Sequence, residues 1–462
     1  MGTLPARCPR PGLVAARERL GLTQDQAAAA IGVAASTWAR WERGETDPRP
    51  DSRAHLVDMF GVTPKEVERW ITGEDAQPLF PWLSGESGHM SLAATVEAAS
   101  ELWRWDVGID ASRRRILAAL PFVPTVLHEW LVSWAYDPPA TTRAHTSTGP
   151  AVGIDDVQRI NEARQAFSSM DHQFGGGLVR PAVVDYLNTQ VTPLLAGTYT
   201  DEVGKQLLTA AASMTELAGW EAYDLGRHGL AQAHYGQALR LAKAADDPLT
   251  AACVLDALAQ LACDLRQPQA AIRLARAACH AGEQADACPR VRAYQLVMEA
   301  RSTAVGVALA ETFDSHAAAR VHRLIDQAEK AFAAANPNAD HEPPWVWYLV
   351  PAELSAEIGY CWQMIGEHAR AEACATQAVR GFGSQFRSVQ LNTVILAQAL
   401  IGQNELDAAL HHARAAVPMA QRLKSTRCTA RIRDLDRDLE PHAREPSVRE
   451  WRAYLRHELS AA

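Results

Sequence analysis

"GLTQDQAAAAIGVAASTWARWERGETDPRP", residues 21–50, carries the punctuation of short helices joined by tight turns. Thr23 is a residue type that caps helix N-termini, and the run QDQAAAAI after it holds small side chains that let another helix cross closely. Gly32 supplies a tight turn and Val33 plugs its corner. A third helix from about 34 to 43 places Trp38 and Trp41 on an inward face, with Ser36, Thr37 and Arg40 on the other; Gly44 ends it. Upstream, LVAARERL at 13–20 reads as a first helix, apolar at Leu13, Ala16 and Leu20 and stopped by Gly21. Downstream, DSRAHLVDMFGVTPKEVERWITG at 51–73 supplies two more, with Pro64 in the first turn of the last.

The succession LTQxxxAxxIGVxxSTxxRWExG resembles the Xre family of helix-turn-helix domains, which includes the lambda-type phage repressors, across residues 12–72. The resemblance implies a five-helix DNA-binding head. Gln24 and Arg43 then fall where the family touches the DNA backbone, which fixes register. Ala35, Ser36, Thr37 and Arg40 fall where it reads base edges in the major groove, and Arg40 is the one suited to guanine. Glu42 is a hallmark of the family with an internal role.

The chain has 462 residues and a formal net charge of -9. Residues 1–50 hold seven Arg against five acidic residues, and residues 51–75 hold three basic against six acidic, so the head is close to neutral. One such head neutralises few phosphates, and useful binding is expected from two heads on one duplex.

Beyond residue 150 the chain repeats weakly. AGWEAYDLGRHGLAQAHYGQAL (218–239) sets Gly219, Ala231, Tyr235 and Ala238 at the spacing of a tetratricopeptide unit, where small residues let two antiparallel helices touch. Ala270, Leu274 and Ala277 return the later three positions; so do Ala371, Ala375 and Ala378 after Gly359, and Ala409, Ala413 and Ala416. Val321, Ile325 and Ala328 mark a degenerate unit. The resulting separations, 39, 51, 50 and 38 residues, predict longer helices or irregular loops compared with standard repeats. An Ala-rich bundle is the alternative. The order of Xre head, SRRRILAAL, DHQFGGGLVRPAVVDYL and the first repeat resembles a group of actinobacterial transcription regulators, typical of Streptomyces-like bacteria, which join such a head to such a body.

Other features point away from chemistry. The eight cysteines (Cys8, Cys253, Cys263, Cys279, Cys288, Cys361, Cys374 and Cys428) are dispersed with no CxxC pair, which predicts small buried thiols and a reducing cytoplasm. FGGGLVR (174–180) lacks the Lys and hydroxyl of a phosphate loop and reads as a helix connection. His228 and His234, six apart near Asp224, cannot share a metal from one helical face, and no metal or other cofactor is expected. Trp345, Trp347 and Tyr348 read as core before they read as a groove lining. Residues 112–136, a twin-arginine-like run before an apolar stretch, are broken by Pro121, Pro124, His128 and Glu129, and read as a helix packed on the body, although able to compete for its groove, with no role in a membrane. No paired carboxylates or nucleophile elbow suggest an enzyme.

The expected architecture is therefore all-α: an Xre head at 1–75, a linker (EDAQPLFPWLSGESG) and internal helices at 76–149, a tetratricopeptide-like α-solenoid at 150–440 and a helical tail at 441–462. The expected function is a cytoplasmic, homodimeric regulator that binds an inverted repeat in double-stranded DNA. Its body, with a continuous inner groove, would take a peptide, small-molecule or protein effector. The alternative is a tetratricopeptide adaptor whose head docks on protein.

Overall fold

The computed structural model describes residues 10–19, 22–60, 62–72, 91–107, 117, 120–136, 149–336 and 342–460. All regular elements among them are helices, in two compact units, residues 1–84 and 85–462. Leu20, Gly21, the linker quoted above, most of SRRRILAAL and Cys8 lie outside the described residues.

The first unit holds α1 (Pro11–Arg19), α2 (Gln24–Ala30), α3 (Ala35–Glu42), α4 (Pro50–Phe60) and α5 (Pro64–Thr72). Thr23 opens α2 with a reciprocal cap: its hydroxyl accepts from the Gln26 amide at 3.2 Å, and the Gln26 side chain accepts from the Thr23 amide at 2.9 Å. Gly32 and Gly44 turn the chain at φ +74° and +70°, the left-handed region in which a side chain is strained. Leu13, Ala28, Trp38, Trp41, Leu56 and Val67 bury one shared core. Arg10, 5% exposed, locks it by donating to the carbonyls of Ile71, Trp41 and Thr46 and to Asp47.

The second unit opens with α6 (Leu92–Asp106), α7 (Pro124–Tyr136), α8 (Ile154–Phe174) and α9 (Gly176–Tyr186), which runs through a π-helical turn at Leu187–Val191. Antiparallel hairpins follow: α10 (Asp201–Asp224) with α11 (His228–Ala244), α12 (Pro248–Asp264) with α13 (Pro268–Gln284), and α14 (Pro289–Leu309) with α15 (Ser315–Ala333). A 3₁₀ turn at Pro344–Tyr348 leads to α16 (Pro351–Met364) with α17 (His368–Gly381), then α18 (Phe386–Gly402) with α19 (Leu406–Arg422). α20 (Thr426–Asp438) and α21 (Pro446–Ser460) end the array, with Trp451 fully buried.

Small residues set the hairpin spacing. A Cβ on Gly219 would stand 2.8 Å from the Tyr235 ring, so only glycine lets α10 and α11 come this close. One register differs from the sequence reading. In α13 the buried positions include Ala271, Leu274, Ala275 and Ala278, whereas Ala270 and Ala277 are only half-buried. Alanine fills both faces of that helix, so composition could not choose between neighbouring registers. The equivalent positions 231, 271, 321, 371 and 409 therefore lie 40, 50, 50 and 38 residues apart. The turns repeat as well: the chain enters the left-handed region at Gly226, Asp246, Arg266, Asp286, Gly366 and Asn404, each just past a helix end.

α7 packs against α11 and α13, the second helices of their hairpins. Its Trp130 occupies the space that a side chain at Gly236 would need. It therefore covers the outer layer and does not compete for the inner helices. No described helix is long and apolar enough to cross a membrane.

Candidate functional sites

On the first unit, the residues aligned with base reading lie along α3. Ser36 and Arg40 are exposed, and Ala35 and Thr37 are half-buried. Ala35 also packs against the head core. Gln24 and Arg43, the two aligned with backbone contact, are exposed. Two acidic residues decide how these groups are held. Glu42, 5% exposed, accepts from Arg17 Nε at 2.6 Å, Trp38 Nε1 at 2.7 Å and Gln24 Nε2 at 2.6 Å. Burial pushes its carboxyl up, but the donors from Arg17, Trp38 and Gln24 outweigh burial and hold it below the ordinary glutamate value. Glu42 thus fastens α1, α2 and α3 together, and it sets the Gln24 side chain beside the end of the reading helix. The sequence reading missed Glu45. Its carboxylate lies 2.6 Å from Arg43 Nε and 3.6 Å from Arg40 Nε, so one acid holds both exposed guanidiniums.

In the second unit the first helices of the hairpins bring charge inward. Arg387 of α18 donates to both oxygens of Asp171 of α8, at 2.9 and 2.7 Å, and lies 3.6 Å from Asp224 of α10. Arg301 of α14 bonds Asp264 of α12 at 3.2 Å and Glu357 of α16 at 2.6 Å. Arg431 of α20 reaches the same Asp264 at 2.7 Å. Burial pushes the Asp264 carboxyl up, yet Arg431, Arg301 and Arg427 hold it down at about 2. Arg387 likewise keeps the buried Asp171 below its ordinary value, against the cost of burial. These links tie helices far apart in sequence, joining α18 to α8 and α10, and α20 to α12.

The expected continuous groove is accordingly a series of cavities sharing walls. One lies among Ser168, Cys253, Tyr294 and Tyr348; its neighbour shares His172, Trp220, Gln260 and Glu353 with it and extends to Tyr360, Asn392 and Arg427. A third, reached past Tyr360, Gln398 and Arg431, has a volume of about 640 Å³. Trp345 is core, as read from sequence, while Tyr348 lines a cavity and Trp347 packs on His172. The FGGGLVR glycines serve a junction: the Gly176 amide bonds Asp224 at 3.2 Å and that of Gly177 bonds the Lys424 carbonyl at 3.1 Å. His234 pairs with Asp106 at 2.6 Å, and no three metal-ligating side chains cluster among the described residues.

Residues 13–70 match the model of a family described as a helix-turn-helix domain. No curated protein matches the chain. Among solved structures, a Rap protein complexed with competence and sporulation factor is similar to it at 14% identity and a TM-score of 0.40, over 80% of this chain and 98% of that one.

Proposed function

We propose that the protein is a cytoplasmic, sequence-specific DNA-binding transcription regulator of the Xre type, acting as a homodimer on an inverted repeat and carrying an effector-binding helical array. It has no catalytic step. The observation that carries this reading is α3, which offers Ser36 and Arg40 to solvent, with Arg43 just past its end, from a core closed behind it by Trp38, Trp41 and Glu42. A helix presented this way fits a major groove, with Gln24 and Arg43 placed for phosphates and Ala35, Ser36, Thr37 and Arg40 for base edges. The near-neutral head favours two heads, with half-sites about one helical turn apart and the array supplying the dimer contact.

Genomic DNA bound by the intact protein, recovered and sequenced, gives the operator. On it, Arg40→Ala should cost about 1–3 kcal/mol and relax preference at one position per half-site, while Gln24→Ala should weaken all sequences alike. Absence of enriched DNA, or an Arg40 variant with unchanged specificity, overturns the reading. Glu45 favours a second reading, a protein-docking adaptor, because it neutralises the two arginines of the reading helix. An adaptor would retain partner binding and show no enriched sequence.

A further inference from the structure

Two of the cavities inside the array share one wall, made by His172 of α8, Trp220 of α10, Gln260 of α12 and Glu353 of α16. All but one of the charges around them are paired. Each of the five arginines lining the two cavities has an acid within 3.7 Å: Arg164 has Glu216, Arg301 has Glu357, Arg387 has Asp171, Arg427 has Asp224 and Arg431 has Asp264. Glu353 is the carboxylate left over. Among the described residues none donates a hydrogen bond to its side chain or forms an ion pair with it, and Arg427, Arg387 and Arg301 act on it only from beyond that reach.

The same wall holds two more unmet groups. Gln260 is 6% exposed, its side-chain amide has no hydrogen-bond partner among the described residues, and the surface it keeps opens on these cavities. His172 donates from Nδ1 to the Ser168 carbonyl at 2.8 Å, and burial holds its ring below the ordinary value, so the ring is neutral and Nε2 is an acceptor. Buried polar groups are costly to leave unmet. Water can serve the amide and the imidazole, but only a cation balances Glu353. An ammonium group brings one positive charge and three N–H donors, which is what a carboxylate, an amide oxygen and an imidazole nitrogen lack between them.

The surroundings set the rest of the ligand. On one side of the wall, Leu217, Ala257, Tyr294 and Tyr348 bound a cavity of about 70 Å³, room for about five to seven waters or for an apolar group of similar size, such as a phenyl ring or a short branched chain. On the other side four arginines line the neighbouring cavity and oppose a second positive charge. That neighbour meets the largest cavity at Tyr360, Gln398 and Arg431, which gives a route inward.

We infer that the shared wall binds a small primary monoamine, its ammonium group on Glu353, Gln260 and His172 and its apolar body against Tyr294 and Tyr348. The inference rests on the array being the effector domain for its regulatory meaning, though not for binding itself.

The test is calorimetric titration of the full-length protein with 2-phenylethylamine and 3-methylbutylamine, each beside the alcohol of the same skeleton. It is run at about pH 8, where Glu353 is ionised and alkylamines keep their proton. At least one amine should bind one per chain, about tenfold or more tighter than its alcohol, because the alcohol lacks the charge that Glu353 calls for. Glu353→Gln, which keeps the shape of the side chain, should abolish that preference. Gln260→Leu, which leaves every ion pair in place, should weaken the same amine, so the result does not depend on one variant folding. No binding by either amine, equal binding of amine and alcohol, or a preference that survives Glu353→Gln overturns the inference. If an amine binds but operator affinity is unmoved, the site stands and the effector reading falls. If no amine binds while a cell-extract fraction shifts operator affinity, the ligand class is wrong and the effector reading survives.

Discussion

Arginine does opposite work in the two units. Arg40 and Arg43 on the head keep 53% and 57% of their side chains in solvent and share Glu45. Arg387 in the array keeps 3% and grips Asp171, which keeps none. An exposed pair contributes about 0–1 kcal/mol, because water and salt compete for both partners, so it is readily exchanged for a phosphate or a base. A buried pair has no such competitor. Removing one partner strands the other in a medium that cannot solvate it. The same side chain is therefore a replaceable contact on α3 and an architectural tie on α18, and the environment alone makes the difference.

The sharpest way to break that contrast is Arg387→Ala. It should destabilise the protein by about 3–5 kcal/mol in denaturant unfolding, and pairing Arg387→Leu with Asp171→Leu should recover much of the loss. A cost near that of a surface pair would remove the distinction.

Glu353 tests the same contrast through pH. Burial, reinforced by the nearby Glu357, pushes its carboxyl up to about 7 despite Arg427, Arg387 and Arg301. A raised carboxyl means that the folded state holds a proton the unfolded chain has released. Its stability is greatest below the ordinary value of 4.5, falls as pH rises towards 7 and stays reduced above that. Glu353→Gln should match the wild type at acid pH and exceed it by about 1–3 kcal/mol at about pH 8, measured as unfolding midpoints across the range.

Glu42 has the reverse sign. With its carboxyl held down, its contribution is present above the ordinary value of 4.5 and is lost as pH falls below it. Glu42→Gln should cost about 1–2 kcal/mol at neutral pH and flatten the acid limb of the unfolding profile. A variant with the same acid limb as the wild type would show that the three donors do not select the charged form.

The smallest effect belongs to the surface. Glu45→Gln releases Arg40 and Arg43 and should tighten DNA binding by about 0.3–1 kcal/mol, with a steeper salt dependence. Weaker binding would mean that Glu45 orients the two arginines more than it neutralises them.

Much of the head was legible because its signals are local. Thr23, Gly32, Trp38, Trp41 and Gly44 act on neighbours within a turn or two of themselves, and the structure puts each to the expected use. Glu45 escaped notice because a surface acid two residues from an arginine looks like any solvated charge. In the array, Gly219, Ala231, Tyr235 and Ala238 announced a hairpin through size alone. The exact register of α13 did not follow, because alanines on adjacent faces leave size uninformative.

What the sequence determined by itself was the helical class, the capped and crossed helices of the head, and the repetition of hairpins. Each rests on interactions among residues close in the chain, for which spacing is a sufficient record. Only the tertiary structure decided that Asp171 meets Arg387 across 216 positions, that Asp264 gathers Arg301 and Arg431, and that Arg427 stacks on Trp220 and Tyr223 beside Asp224. Those partners are chosen by the closing of the array, which brings together helix faces that no periodicity relates, and in a buried setting the partner fixes what each charge does.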